Sequence, residues 1–186
     1  GEDLGTVPNY VRKVLASHGV LGTVVEWFAR VDDSPNAGDP YDDPTNYRKY
    51  ALASVTTHDL PPTAGYLQFE HVQLRERLHL LTESVESFQA SATAERQAML
   101  DRLRTLGLIS DEDSHIPQIV EAMHAMLRKS PSLLIQAALV DGVGERRTQN
   151  QPGTSDQYPN WRIPLADEHG RVVHTDEVFD LPRVKS

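Results

Sequence analysis

Glu2, Asp59 and Asp141 are the side chains whose type and placement suggest chemistry. Each stands at or just beyond the C-terminal end of a segment that reads as a β-strand. In an α/β barrel that end of the strands faces the site. Two carboxylates across a pocket suit glycoside chemistry. One holds a proton for the departing oxygen, and the other stays ionised to attack or to stabilise positive charge on the sugar. The same placement suits a plainer job, because strand-end aspartates often satisfy loop amides or cap helices.

Other polar residues carry weaker signals. His58 beside Asp59 suggests a metal pair, but a hydrogen-bonding histidine near a strand end is the better reading, and His71, His79 and His115 complete no ligand motif. The acidic stretch from Asp32 to Asp43 is broken by prolines and lacks the glutamate of a calcium loop, so it reads as a solvated loop. Arg146-Arg147 suits either a phosphate or nearby surface acids. Tyr158 and Trp161 could stack on a sugar ring or anchor the tail to the core. Gly142 and Gly144 are too few and wrongly ordered for a dinucleotide fingerprint.

The elements that must position these residues follow a β/α order. Val7, Val11, Val14 and Leu15 recur at helical spacing, with Thr6 as a candidate cap and Gly19 as terminator. Leu21–Phe28 and Tyr50–Thr57 read as strands, separated by a polar loop from Asp32 to Asn46 that exceeds the ordinary connection length. Helical patterns run from Ala64 to Leu81, from near Thr93 to Leu106, and from His115 to Arg128, the last with Ser114 as cap and Pro117 in its first turn. Leu133–Val140 is almost continuously apolar, the pattern of a strand covered on both faces, and a polar loop follows to Gly153.

Bulk properties narrow the partners. The 186 residues include 27 acidic and 18 basic side chains, a formal charge of −9. That balance disfavours a broad basic face for polyphosphate backbones, so no nucleic-acid partner is expected. Cysteine is absent, which excludes disulfides and thiolate catalysis and fits a reducing, cytoplasmic compartment. No apolar run reaches membrane-spanning length.

Three motifs in register carry a family resemblance: Glu2-Asp3-Leu4-Gly5-Thr6-Val7, then Thr56-Thr57-His58-Asp59-Leu60-Pro61-Pro62, then Asn150-Gln151-Pro152-Gly153-Thr154 with Tyr158-Pro159-Asn160-Trp161-Arg162. With them the chain resembles the 4-alpha-glucanotransferase family (amylomaltase or disproportionating enzyme, glycoside hydrolase family 77), most nearly its actinobacterial branch. The resemblance implies an α/β fold in which residues 1–186 form the C-terminal portion, strands 5–8, of a (β/α)8 TIM barrel. That portion is incomplete without upstream sequence.

Roles follow from the resemblance. Glu2 matches the general acid/base after the fifth strand. Asp59 matches the carboxylate after the seventh that orients sugar hydroxyls and favours the transition state, and His58 matches a donor-subsite histidine. Asp141 through Thr154 matches the eighth strand and its cleft-lining loop, so Asp141, Asn150 and Trp161 become candidate substrate-binding residues. The family nucleophile, an Asp in an Arg-x-Asp context, comes before the acid/base. It would therefore precede Gly1, and Arg30-Val31-Asp32 falls in the wrong order to replace it.

The implied activity is transfer of alpha-1,4-glucan segments to acceptor glucans, maltooligosaccharides or glucose by a retaining double displacement, with no cofactor or metal. The isolated chain is expected to be inactive. A related alpha-glucan hydrolase or debranching enzyme, and a noncatalytic glucan-binding fragment, are the alternatives.

Overall fold

A computed structural model describes residues 1–4, 7–31, 38–110 and 115–185. Three parallel strands lie side by side in the order β1 (Gly22–Val25), β2 (Ala51–Ser54), β3 (Leu134–Gln136), forming an unclosed sheet. Gly22 pairs with Ala51, and Leu52 with Leu134.

The helix α1 (Asn9–Ser17) precedes β1 and ends at Gly19, whose φ of +70° is the left-handed geometry that terminates helices. The expected cap Thr6 lies outside the described residues; Pro8 occupies the cap position without a side-chain bond. The first strand stops at Val25, earlier than Phe28. Glu26–Phe28 tightens into a 3₁₀ turn. A pleated strand sends consecutive side chains to opposite faces, and here Glu26 and Trp27 are both buried.

Beyond β2, the single helical pattern expected over 64–81 is divided into α2 (Thr63–Leu67) and α3 (Glu70–Arg77), with Phe69 at a φ of +62° between them. The long helix α4 (Val85–Thr105) begins well before Thr93, where Ser84 accepts from the Ser87 N–H at 3.1 Å. Its first half buries only Ala92, so no apolar stripe announces it. In α5 (Ile116–Leu127) the expected stripe is buried: Ile119, Val120, Met123, Met126 and Leu127. Ser114, the expected cap, lies outside the described residues; His115 stands at the cap position without a capping bond.

Helix α5 packs on β2, α2 and α4. The core that results joins Met123 and Leu127 to Trp27, Val55, Leu67, Met99 and Leu103. Each such fully buried side chain contributes about 1.5–3 kcal/mol relative to exposure. Tyr41, in the stretch read as a solvated loop, and Tyr47, just beyond it, also enter this core.

The apolar run Leu133–Val140 is not a strand covered on both faces. Only Leu134–Gln136 is strand, at the sheet edge, and Leu133, Leu134 and Ile135 are 51%, 52% and 46% exposed. The chain then turns into α6 (Leu139–Val143). A short apolar run does not by itself distinguish strand from helix. A smaller cluster of Val143, Val173 and Val178 ties α6 to α7 (Thr175–Val178) and α8 (Pro182–Lys185). Among the described residues no helix is long and apolar enough to cross a membrane.

Candidate active site

Past the C-terminal end of β2 the chain makes a short turn held by Thr56, whose Oγ1 donates to the Pro61 carbonyl at 3.0 Å. His58 and Asp59 are exposed in this turn. The Asp59 carboxylate has a partner on each oxygen. Oδ1 accepts from Asn150 Nδ2 at 2.6 Å, and Oδ2 lies 3.5 Å from His58 Nε2. The Trp161 ring centroid is 5.8 Å from that of His58. These four expected site residues, His58, Asp59, Asn150 and Trp161, therefore stand together. Beside them is a cleft of about 230 Å³ lined by Thr57, His58, Leu60, Gln136, Leu139 and Trp161.

Residues 148–161 deliver Asn150 and Trp161 as one closed loop. Tyr158 donates to the Thr148 carbonyl at 2.6 Å, Gln151 N–H donates to Asn160 Oδ1 at 2.8 Å, and Trp161 N–H donates to the Gln149 carbonyl at 2.9 Å. The two aromatic residues divide the roles left open by the sequence. Tyr158 is buried and anchors the loop, whereas Trp161 is 62% exposed. Its φ of +61° is uncommon for a bulky residue and costs about 1–3 kcal/mol.

Asp141 is elsewhere. It lies in the first turn of α6 and is 1% exposed. Its carboxylate accepts from Thr63 N–H at 2.7 Å and Thr63 Oγ1 at 2.6 Å, and lies 3.0 Å from His124 Nε2. It braces the start of α2 against α5 and α6 and does not line the cleft. The expectation that it ends a strand is corrected: it lies inside a helix, and its oxygens are spent on buried donors.

Glu2 is exposed. Residues 1–4 form no strand, and they lie beside the start of β1. The Gly1 ammonium donates to the Leu21 carbonyl at 2.7 Å, and Thr23 N–H donates to Asp3 Oδ1 at 2.7 Å. Gly1 and Asp3 therefore border Leu21 and Thr23 at the start of β1. Asp3, the neighbour of Glu2, is buried. Burial alone would raise its carboxyl, but the Arg48 guanidinium at 2.6 Å and the Thr23 amide outweigh this and hold it below its ordinary value.

Several buried ionic groups escaped the sequence reading. Glu26, fully buried, pairs with Arg102 and accepts from Tyr47 Oη at 2.7 Å; burial pushes its carboxyl upward against the pull of Arg102. Arg30, of the discounted Arg30-Val31-Asp32, is buried on Tyr41 and Glu95, while Asp32 lies outside the described residues. Of the arginine pair, Arg146 meets Glu70 at 3.2 Å and Arg147 meets Glu145 at 2.7 Å. Glu145 is itself buried and also accepts from the Ala166 amide. Only one signal hinted at the Glu26 and Arg30 pairs: Tyr41 within an otherwise polar loop and Tyr47 just after it. Among the described residues no three His, Asp or Glu side chains converge as a metal site.

A carboxylate, an imidazole, a neutral amide and an exposed indole suit an uncharged, hydroxyl-rich ring. The carboxylate accepts from hydroxyls while the indole covers an apolar ring face. Parallel strands joined through helices, with polar groups gathered past a C-terminal strand end, define an α/β protein.

Comparison with known proteins sharpens that class. The family profile described as 4-alpha-glucanotransferase matches residues 1–169. The 4-alpha-glucanotransferases of Mycobacterium bovis and Mycobacterium tuberculosis are 48% identical over 180 residues, covering 96% of this chain and 25% of theirs. The crystal structure of amylomaltase from Corynebacterium glutamicum superposes with a TM-score of 0.89 at 39% identity, over 99% of this chain and 27% of that one. Amylomaltase from Streptococcus agalactiae, solved with acarbose, shares the fold at a TM-score of 0.56 and 18% identity. The chain belongs to the 4-alpha-glucanotransferase family, and its α/β fold is related to that family's barrel. It spans about a quarter of the length of the relatives it matches.

Proposed function

We propose that residues 1–186 are the C-terminal portion, strands 5–8, of a (β/α)8 barrel that transfers alpha-1,4-glucan segments to acceptor glucans or glucose with retention. The observation that carries this reading is the grouping of Asp59, His58, Asn150 and Trp161 past the end of β2, all within the residues that the family profile matches.

In the complete enzyme Glu2 protonates the glycosidic oxygen while an aspartate from a segment outside these residues attacks the anomeric carbon. The C–O bond breaks, the leaving glucan takes the proton, and a covalent glucosyl intermediate remains. Glu2 then accepts the proton of an acceptor 4-hydroxyl as that oxygen displaces the aspartate. Asp59 stays charged and grips sugar hydroxyls most strongly in the transition state. His58 and Trp161 border the bound ring, with Asn150 behind Asp59; Asp141 is buried away from the cleft. The chemistry needs no cofactor.

Retaining catalysis sets the attacking and acid/base carboxyls about 5–5.5 Å apart. Glu2 must therefore reach the C-terminal rim of the barrel, with the preceding chain supplying the strand that carries it. The open sheet edge and the exposed Leu133, Leu134 and Ile135 support a requirement for that upstream half.

The test is incubation of the complete enzyme with maltotriose. A ladder of longer and shorter glucans is expected; irreversible accumulation of short sugars would make it a hydrolase instead. Glu2→Gln should keep the fold and largely abolish transfer, and Asp59→Asn should lower kcat more than it weakens glucan binding. Near-normal turnover in either variant removes that residue from the mechanism.

A further inference from the structure

Asp59 occupies an exposed turn, and no buried wall fixes its carboxylate. Its own backbone N–H donates to Thr57 Oγ1 at 3.3 Å. The short contact on Oδ1 comes from a different part of the chain, Asn150 Nδ2 at 2.6 Å. Asn150 is half-buried and bracketed on both sides by the bonds that close residues 148–161, from Tyr158 to the Thr148 carbonyl and from Gln151 to Asn160 Oδ1. Within that loop Thr154 Oγ1 donates to the Gln151 carbonyl at 2.7 Å and accepts from Asn160 Nδ2 at 2.9 Å. The donor is therefore held far more firmly than the acceptor it serves.

We infer that Asn150 is a positioning residue: it locks the orientation of the Asp59 carboxylate through Oδ1 and leaves the remaining lone pairs for sugar hydroxyls. The inference rests on the role given to Asp59 in the proposed function. An amide suits the task because it donates without adding charge. A lysine or arginine in its place would draw the carboxylate into an ion pair and compete with the developing positive charge on the sugar. The loop thus performs two jobs from one framework, orienting Asp59 through Asn150 and setting Trp161 beside His58.

The experiment uses the complete enzyme acting on maltotriose, with Asn150→Ala, the isosteric Asn150→Asp, Asp59→Asn, and the double variant Asp59→Asn/Asn150→Ala. Losing a hydrogen bond to a charged group corresponds to roughly a tenfold to hundredfold fall. Asn150→Ala should show it in kcat, with KM changing little. In the double variant the loss should not exceed that of Asp59→Asn alone, because the amide acts through a carboxylate already removed.

Asn150→Asp sets a second carboxylate against the first, so the acidic limb of the pH–rate profile should move upward by about a unit or more. That variant keeps the side-chain shape, so its pH profile decides the matter even if the alanine change disturbs the loop. A raised KM with unchanged kcat, fully additive losses, or an unmoved pH profile would overturn the positioning role. Normal turnover in Asp59→Asn would instead remove the reading of Asp59 on which it depends.

Discussion

Asp141→Ala in the complete enzyme separates a structural aspartate from a catalytic one. The side chain is 1% exposed and receives Thr63 N–H, Thr63 Oγ1 and the His124 ring at 2.7, 2.6 and 3.0 Å. A hydrogen bond to a charged group contributes about 1.5–3 kcal/mol, which puts an upper bound of roughly 5–9 kcal/mol on the three. Relaxation and water entry reduce this to about 3–5 kcal/mol, the usual cost of removing one member of a buried ionic cluster. Hydrogen exchange of the α2 and α5 amides is the appropriate assay, since it reads local opening within a large protein. Protection should fall by roughly a hundredfold to a few thousandfold, while turnover per folded molecule stays near that of the parent. Undiminished protection with lost turnover would refute the brace and return Asp141 to the chemistry.

His71 is buried against Tyr66, with ring centroids 4.2 Å apart, and burial aided by Arg75 lowers its pKa to about 4. The folded form therefore binds fewer protons than the unfolded one between about pH 4 and the ordinary histidine value of 6.5. Stability is full above that window and falls by roughly 3 kcal/mol as the pH drops through it. His71→Phe should flatten this part of the unfolding profile, and an unchanged pH slope would contradict the assignment. At Gly65 an added Cβ would stand 2.1 Å from the Arg146 carbonyl oxygen. Gly65→Ala should then destabilise by about 1–3 kcal/mol in thermal unfolding, and a parental Tm would disprove the close approach.

The readable parts of the fold were those fixed by local periodicity. The stripe of α5 and the Gly19 terminator are properties of a few neighbouring residues, and they appear where the spacing put them. The first half of α4 was not readable because it turns polar residues to solvent and depends on the Ser84 cap for its start. Tyr47, Glu26 and Arg102 meet only after folding, across a sequence separation that no window spans. The site divides likewise. His58-Asp59 and the Asn150–Trp161 stretch were legible as motifs, but the bond joining them crosses 91 residues. Asp141 looked like a strand-end carboxylate because Leu133–Val140 looked like one strand. A helix begins within that run and carries the side chain inward.

The chain's two tryptophans inhabit opposite media. Trp27 is 1% exposed and stacked on Tyr66 at 4.3 Å, while Trp161 is 62% exposed beside His58. Their indoles are consequently two natural dyes. Trp27 emits from an apolar medium and is shielded from dissolved quenchers, whereas Trp161 emits from water and is open to them. Red-edge emission and acrylamide quenching would report the cleft separately from the interior, a spectroscopic signal written into the segment without any added label.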